Sequence, residues 1–576
     1  MSQKTNFSAL STLTIVFFFW GFIAAGNSIF IPFCKNYFHL DQFQSQLVDY
    51  AFYGAYYIGA LILFISSSLK GSDFVGSWGY KKSIVYGLLF SAFGASAMIL
   101  AVYGNTFTGM LMGFFLVALG FSLQQTAANP FAISLGDEKT GSTRVNFAGG
   151  INSLGTMIGP LIVAFALFGS SAEVNDKMIA ELDLIKVIML YIVIGSLFII
   201  SALIFGFSKS VPQGINKESN PPAPKALKSL LLMTGLLIVM FSPVFNSYNT
   251  SESKKIVQLE AQAEKMDLDG GGKIAHSAIQ LEIEKLKKPL EQERMMWLAG
   301  AFLVVFGTLA YANASAKKNS EGWGAMKYPQ LVFGMLAIFV YVGVEVSIGS
   351  NLGELLKQPE FGAYEASKIA PFISMYWGSL MIGRWAGAVN AFNLKKSTRN
   401  LLTGIVPLLA FILILLTNQL AQKDISQLYW YVLCVLIQIA AFYYVGSNPV
   451  KSLLIFGLLG VVSMLVGMMS SGMVAVYAFL SGGLFCSILW PCIFSLSIAG
   501  LGNYTSQGSA FLIMMILGGG IIPPLQGKLA DILGIQTSYF VAVLCFAYLA
   551  AFALIVRKTL LNQGVQIEEQ EASLGH

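Results

Sequence analysis

The sequence predicts an all-α polytopic membrane protein, on three observations. Charged residues make up 11% of the 576 residues, whereas an ordinary soluble domain has about 25%. Hydrophobic residues make up 56% and the mean hydropathy is +0.69, which is more apolar surface than a soluble fold could bury. Sixteen apolar stretches are each long enough to form a membrane-spanning helix. A conventional soluble enzyme is therefore excluded, and no enzymatic activity is expected.

The predicted spans follow from the length that a helix needs to cross a bilayer. That length is about 20 apolar residues, because lipid offers no partner for backbone polar groups. The first third of the chain contains six spans, near 10–33, 47–69, 83–104, 107–133, 147–169 and 187–208. The rest contains ten, near 229–245, 295–313, 328–350, 368–392, 400–418, 428–446, 450–469, 472–499, 507–525 and 537–556.

These spans divide the chain into four predicted parts. Residues 1–208 form a six-helix bundle, and 327–560 form a second bundle with an extra helix pair near 400–446. The linker at 209–326 has two extra spans that bracket a charged segment at 246–294, with seven Lys, one Arg, seven Glu and two Asp. Its helical spacing on either side of a glycine turn predicts a solvated helical hairpin. Residues 561–576 form a tail.

Basic residues in the short loops predict the orientation, because such loops stay in the cytoplasm. With the amino terminus inside, the inside loops collect most of the Lys and Arg, including Lys81, Lys82, Lys395, Lys396 and Arg557. Both termini are then cytoplasmic and the charged hairpin is outside. The first apolar stretch is too long for a signal peptide, so we expect it to remain as a helix.

Several functions are excluded by what the pattern lacks. The net charge is +6, but the basic residues form no stripe with stacking aromatics, so no nucleic-acid partner is expected. The five cysteines have no CxxC spacing or nearby His, which predicts neither disulfides nor a metal site. No GxxxxGK[ST] phosphate loop is present, so we expect no ATP-driven transport and no cofactor.

Three charged residues fall inside or at the start of predicted spans, where charge is costly and usually functional. They are Asp49, Glu345 and Arg384. Glu345 follows a long apolar stretch and cannot reach water along the lipid face, which favours a functional role. For Arg384 a structural role is favoured over substrate contact, because a long basic side chain near a span end can snorkel or cap a helix.

Amides and aromatics within spans point to a sugar site. An amide offers both donors and acceptors for hydroxyl groups, and aromatic rings suit the apolar faces of a pyranose, although aromatics near span ends are more often interfacial. The predicted substrate-binding residues are Asn27, Gln124, Gln125, Asn129, Asn152, Tyr376, Trp377 and Trp490. Gly518, Gly519 and Gly520 before Pro523 are predicted to allow close helix contact or a bend in a moving helix.

Four motifs resemble one transporter family. They are FWGF at 19–22, TAANPF at 126–131, YVGVEV at 341–346 and WPCIFSL at 490–496. Together they are similar to the fucose permease and glucose/galactose transporter family of the major facilitator superfamily. The resemblance implies two six-helix bundles around a central sugar site, here with about four additional helices. It also implies alternating access, often with proton or sodium symport.

The chain departs from that family at two acidic positions. Family members usually have an Asp after the asparagine of the first helix and a Glu two residues before AANP, where this chain has Ser28 and Gln125. A Gln there is typical of glucose/galactose members, which favours an aldohexose. Asp49 and Glu345 then remain to bind a coupling cation, with Ser28 as a further oxygen ligand. Sodium is favoured over the proton.

The expectation is a monomeric hexose:cation symporter of the bacterial inner membrane. An uncoupled facilitator and a transporter of another sugar or an amino sugar are alternatives. A membrane sensor or scaffold without transport is a further alternative, in which the extra helices would be interaction surfaces.

Overall fold

The first bundle consists of six long helices. The computed structural model describes residues 5–37, 42–70, 74–137, 140–169, 182, 184–215, 222–268, 273–392 and 394–565. Within these ranges the chain forms helices and no strands. The helices of the first bundle are α1 (Phe7–Tyr37), α2 (Gln42–Lys70), α3 (Tyr80–Tyr103), α4 (Phe107–Ser134), α5 (Gly141–Phe168) and α6 (Leu184–Phe207).

The linker region forms a separate helical element. Its helices are α7 (Pro224–Ser247), α8 (Ser251–Leu268) and α9 (Lys273–Lys318). With 46 residues, α9 is about 69 Å long at 1.5 Å per residue, about twice the thickness of a bilayer core. The second half of the predicted hairpin and the following span are therefore one continuous helix. Outside the span, α8 packs on α9 around Ile256, Leu259 and Ile283.

The second bundle and its inserted pair follow. The helices are α10 (Pro329–Leu356), α11 (Ala366–Ala388), α12 (Lys396–Leu420), α13 (Val432–Val445), α14 (Pro449–Met469), α15 (Gly472–Cys486), α16 (Leu489–Ile498), α17 (Thr505–Met514), α18 (Ile522–Leu533) and α19 (Phe540–Asn562). Fifteen helical stretches of the described chain are long and apolar enough to cross a membrane. The sixteenth predicted span coincides with α11, which has Arg384 and several small residues on one face.

Two spans expected to be continuous are interrupted, and proline is the physical reason. Proline has no N–H, so the carbonyl four residues before it loses its helical partner. The break between α15 and α16 precedes Pro491, and a 3₁₀ stretch at Met515–Gly520 precedes Pro523 and Pro524. Each interruption leaves backbone groups available for contacts between helices.

The two bundles meet on the side of the molecule where α1 begins and α19 ends, called the termini side below. Pro130 frees the carbonyl of Thr126 in α4, and the Ser509 hydroxyl of α17 donates to that oxygen at 2.7 Å. A second contact between the bundles is the hydrogen bond from the Trp385 indole of α11 to the Gly150 carbonyl of α5 at 3.1 Å. These contacts join the bundles and close the termini side.

The two inserted helix pairs occupy different places. In the first pair, α7 and α9 pack on each other and contact α2, α10 and α18 at the edge of the molecule. In the second pair, α12 and α13 pack against α11, and α12 borders the space between the bundles. Only the second pair is therefore in a position to contact a solute there.

Candidate functional site

A cavity of about 730 Å³ lies between the two bundles. Helices α1, α2, α4 and α5 line it from the first bundle, and α10, α11, α16 and the inserted α12 line it from the second. Away from the termini side, the lining extends to Leu161 of α5, Ser350 of α10 and Lys423 after α12. The cavity is thus closed on the termini side and extends towards the opposite side.

Arg384 of α11 forms the floor of this cavity and is buried. Its Nη2 group contacts the Glu345 carboxylate at 3.2 Å and the Tyr341 hydroxyl at 3.3 Å, both on α10. Its Nε group donates to the Ser487 carbonyl at 3.2 Å. That carbonyl is available because Pro491 cannot donate to it. The α15–α16 break therefore supplies an acceptor for the guanidinium.

Arg384 also reaches the first bundle. Its Nη1 group donates to the Ser153 hydroxyl at 2.8 Å and to the side-chain amide oxygen Oδ1 of Asn152 at 3.4 Å, both on α5. All five N–H donors of the guanidinium are then used. The interpretation of Arg384 as a snorkelling residue is wrong, because the side chain is buried and lines the cavity. Its contact with the Ser487 carbonyl fits the other structural interpretation, a cap on a neighbouring helix, and its contacts with α5 also join the two bundles.

Glu345 is paired rather than isolated. Its Oε1 atom accepts from Arg384 and, at 2.9 Å, from the Tyr341 hydroxyl one helical turn earlier. The Tyr376 hydroxyl donates to the backbone carbonyl of Glu345 at 2.6 Å, and the Tyr376 side chain is fully buried behind the lining. Tyr376 holds α11 against α10 and does not line the cavity.

The structure brings Gln125, Asn129 and Asn152 to the cavity. The Gln125 amide donates to the Tyr56 hydroxyl at 3.1 Å, and the Asn129 amide donates to the Gln125 carbonyl at 3.0 Å. The Oδ1 atom of Asn129 is buried without a partner among the described residues. An unpaired buried acceptor is costly, so a hydroxyl donor from a solute would be favourable here.

Asn152 is more constrained than the other two amides. Its Nδ2 group donates to the Phe17 carbonyl of α1 at 2.9 Å, and its Oδ1 atom accepts from Arg384. Both ends of the amide therefore contact the protein. The predicted contact between Asn152 and a sugar remains a prediction, to which the structure adds a role in joining α1, α5 and α11.

The structure does not bring Gln124 to the cavity. Its Oε1 atom accepts from the Trp20 indole at 3.1 Å, and its Nε2 group donates to the Ser91 hydroxyl at 3.0 Å. The side chain is fully buried between α1, α3 and α4. Gln124 thus fixes Trp20, which does line the cavity, instead of contacting a solute itself.

Aromatic side chains form much of the remaining lining. The predicted residues Trp377 and Trp490 are both there, together with Trp20, Tyr53 and Tyr56. Trp490 lies beside Tyr341, with ring centroids 6.0 Å apart. Flat apolar rings next to amides suit a solute with both apolar faces and hydroxyl groups.

The glycine run lies where α17 and α18 approach other helices. A side chain at Gly518 would collide with the Phe339 carbonyl of α10, and a Cβ at Gly519 would lie 2.7 Å from the Tyr53 ring of α2. Pro523 follows in the first turn of α18. Small residues are therefore required for this contact between the bundles.

Some predicted residues cannot be placed. The side chains of Asn27, Ser28 and Asp49 lie outside the described part of the chain, so their predicted roles remain predictions. Within the described part, no cluster of three or more His, Cys, Asp or Glu residues could hold a metal ion.

Sequence reasoning missed several lining residues. Tyr341 lies four residues before Glu345, so helical spacing could have identified it. Ser153, Ser374, Thr417 and Asn418 also line the cavity. Serine and threonine are common in membrane helices, so their presence does not indicate a binding site. Asn418 lies in α12, which was predicted to belong to an extra helix pair, additional to the bundles around the sugar site.

Two curated relatives align with nearly the whole chain, although no protein-family model matches it. A glucose/galactose transporter of Brucella abortus biovar 1 (strain 9-941) is 27% identical over 558 residues, covering 97% of this chain and 96% of the relative. The L-fucose-proton symporter of Escherichia coli (strain K12) is 24% identical over 556 residues, covering 96% and 93%. These homologues have the names that the sequence motifs predicted.

The decisive structural comparison is with FucP, a transporter of the major facilitator superfamily whose crystal structure is in the outward conformation. The TM-score is 0.59 at 22% identity, and the match covers 95% of this chain and 98% of FucP. This chain has the major facilitator superfamily fold. The human organic anion transporter MFSD10 is also similar, with a TM-score of 0.52 at 10% identity. Because organic anion and fucose transporters share the fold, the substrate must be inferred from the site.

Proposed function

We propose that this chain is a secondary transporter of a neutral hexose. The observation that carries the proposal is the lining of the central cavity, which contains the amides Gln125 and Asn129 and the indole rings of Trp377 and Trp490. Neutral amides with unpaired acceptors match hydroxyl groups, and the aromatic rings match the apolar faces of a pyranose. The names of the relatives, glucose/galactose transporter and L-fucose-proton symporter, support a sugar.

The way the bundles meet supports alternating access. The contacts Ser509–Thr126 and Trp385–Gly150 close one side of the cavity. A rocking motion that breaks these contacts would open the termini side, which we place in the cytoplasm. The arrangement seen here would then be an outward-facing state, the conformation of the FucP crystal structure. A scaffold without transport would have no need for unpaired amides at the centre of the membrane.

For coupling, we propose a proton on Glu345. The carboxylate already faces the Arg384 guanidinium at 3.2 Å, and this fixed cation would repel a sodium ion at the same place. Protonation would instead remove the negative partner of Arg384 and loosen its link from α10 to α5. A sodium site would then depend on Asp49 and Ser28, whose side chains lie outside the described part of the chain.

Substrate binding is tested by replacing the amides. In the Gln125→Ala variant, the loss of an amide that holds a hydroxyl should weaken glucose or galactose binding by about 1–3 kcal/mol. Isothermal titration calorimetry of the purified protein measures this change. Gln358→Ala, at an exposed loop position, is the matched control. Unchanged binding in the Ala variants of Gln125, Asn129 and Asn152 would place the site elsewhere.

Coupling is tested by uptake into proteoliposomes under an imposed proton or sodium gradient. We expect a proton gradient to drive accumulation of labelled hexose, and Glu345→Gln to abolish accumulation while sugar exchange continues. Glu354→Gln is the control, because Glu354 lies on the same helix in an exposed pair with Lys357. Accumulation by Glu345→Gln at the parental level, or driven by sodium alone, would contradict the assignment.

A further inference from the structure

The inserted helix α12 forms part of the cavity wall. Its far end contributes Thr417 and Asn418, followed by Ala421 and Lys423. The Thr417 hydroxyl also lies 4.0 Å from the Met157 sulfur of α5. The inserted pair therefore bounds the cavity between α11 and the first bundle, above the amides and Arg384.

Asn418 is held in a fixed orientation in this wall. Its Nδ2 group donates to the Ser374 hydroxyl of α11 at 2.8 Å and to the Ile414 carbonyl at 2.9 Å. Both amide hydrogens are thus used, whereas the Oδ1 atom has no partner among the described residues. The side chain is only 3% exposed. A buried amide fixed in this way presents an acceptor that a solute hydroxyl can satisfy.

Ser374 and Trp377 of α11 lie in the same part of the cavity wall as Asn418. The Ser374 oxygen accepts from Asn418, so its hydroxyl proton is available to donate. Trp377 lies three residues further on the same face of α11 and also lines the cavity. A donor, an acceptor and an aromatic ring thus lie together, as in the deeper part of the cavity.

This group is too far from the cavity floor for one sugar ring to reach both. Ser374 and Arg384 are ten residues apart on α11, which is about 15 Å along a helix. A single pyranose ring is much shorter than that distance. Two linked rings extend further along it, with Trp377 between the two levels.

We infer that Ser374, Trp377 and Asn418 form an outer subsite for a second sugar ring, so that the substrates include neutral disaccharides. The inference rests on the proposed hexose transport. It assigns to the inserted pair α12–α13 the role of extending the sugar site.

The test is calorimetric binding of glucose, galactose, maltose, cellobiose and lactose to the full-length protein. At least one disaccharide should bind more tightly than its component hexoses. Asn418→Ala should weaken that disaccharide about tenfold, as expected for a lost buried hydrogen bond, and leave hexose binding within twofold. Gln419→Ala is the matched control, since Gln419 is the next residue and is exposed.

A second variant distinguishes loss of the subsite from misfolding of Asn418→Ala. Ser374→Ala removes a single oxygen atom and should also weaken the disaccharide selectively. Hexose binding without any disaccharide binding, or equal weakening of both sugars by Asn418→Ala and Ser374→Ala, would overturn the outer subsite and leave hexose transport standing. Failure of all five sugars to bind would instead reject the hexose proposal, and the outer subsite with it.

Discussion

The two inserted helix pairs are both long and apolar enough to cross a membrane, but different side chains attach them to the bundles. The pair α7–α9 is attached to the edge of the molecule by uncharged contacts with α2, such as the Tyr57–Thr234 hydrogen bond at 2.7 Å, and also by a cluster of charges. Arg294 of α9 contacts Glu291 at 2.7 Å, and Lys528 of α18 contacts the same carboxylate. Arg294 also donates to the Ser247 hydroxyl at 2.7 Å and lies over the Tyr248 ring at 3.7 Å.

The pair α12–α13 is attached by uncharged contacts. Ile414 of α12 packs over Gly378 of α11, and Asn418 bonds to Ser374. Charged groups in the attachment of α12 to α11 would compete with the Glu345–Arg384 pair, whereas the amide and apolar groups found there do not. The comparison shows that two inserted pairs of similar hydropathy differ in the side chains that attach them. Charged side chains are used at the edge of the molecule, and uncharged ones are used beside the cavity.

The largest expected effect is in the charged attachment. Arg294→Ala removes one of the two cations beside the buried Glu291 carboxylate, together with the Arg294 contacts to Ser247 and Tyr248. Breaking a buried ion pair typically costs about 3–5 kcal/mol. We expect a lower thermal unfolding temperature and greater protease sensitivity in α9. Lys255→Ala is the control, because the Lys255–Glu282 pair on the hairpin is about half exposed and should contribute at most about 1 kcal/mol. Equal effects of the two variants would contradict the difference drawn here.

A smaller effect is expected in the uncharged attachment. A Cβ atom at Gly378 would lie 2.6 Å from Ile414, so Gly378→Val should overpack the α11–α12 contact and cost about 1–3 kcal/mol. Disaccharide binding should weaken as well, because α12 forms part of the outer subsite. At Gly235 of α7 no atom lies within 4 Å of such a Cβ, so Gly235→Val should leave binding and thermal stability near the parental values. If Gly235→Val impairs binding as strongly, the two pairs do not differ in this respect.

The smallest effect is expected from removing the hairpin. Deleting 251–289 with a short Gly/Ser bridge removes a separate small core around Ile256, Leu259 and Ile283. Glu291 and Arg294 remain, so α9 stays attached. Proteoliposome uptake should continue at close to the parental rate. A well-folded deletion protein without uptake would show that the hairpin takes part in transport.

The positions of the spans could be predicted because lipid imposes one simple requirement on length and hydropathy. The rotation of each helix could not. Gln124 and Gln125 are adjacent, yet only Gln125 faces the cavity, since neighbouring residues differ by about 100° around a helix. The partner of Glu345 was equally hidden, because Arg384 lies on another helix.

The neutral pair at the cavity floor has a consequence for the effect of membrane voltage. Each uncompensated elementary charge that moves across the membrane changes the energy by about 2.3 kcal/mol per 100 mV. With Glu345 ionised, its charge and that of Arg384 cancel at a separation of 3.2 Å. Voltage therefore does almost no work on this pair when the bundles rock. With a proton on Glu345, the charge of Arg384 is uncompensated, and the voltage acts on the loaded step alone.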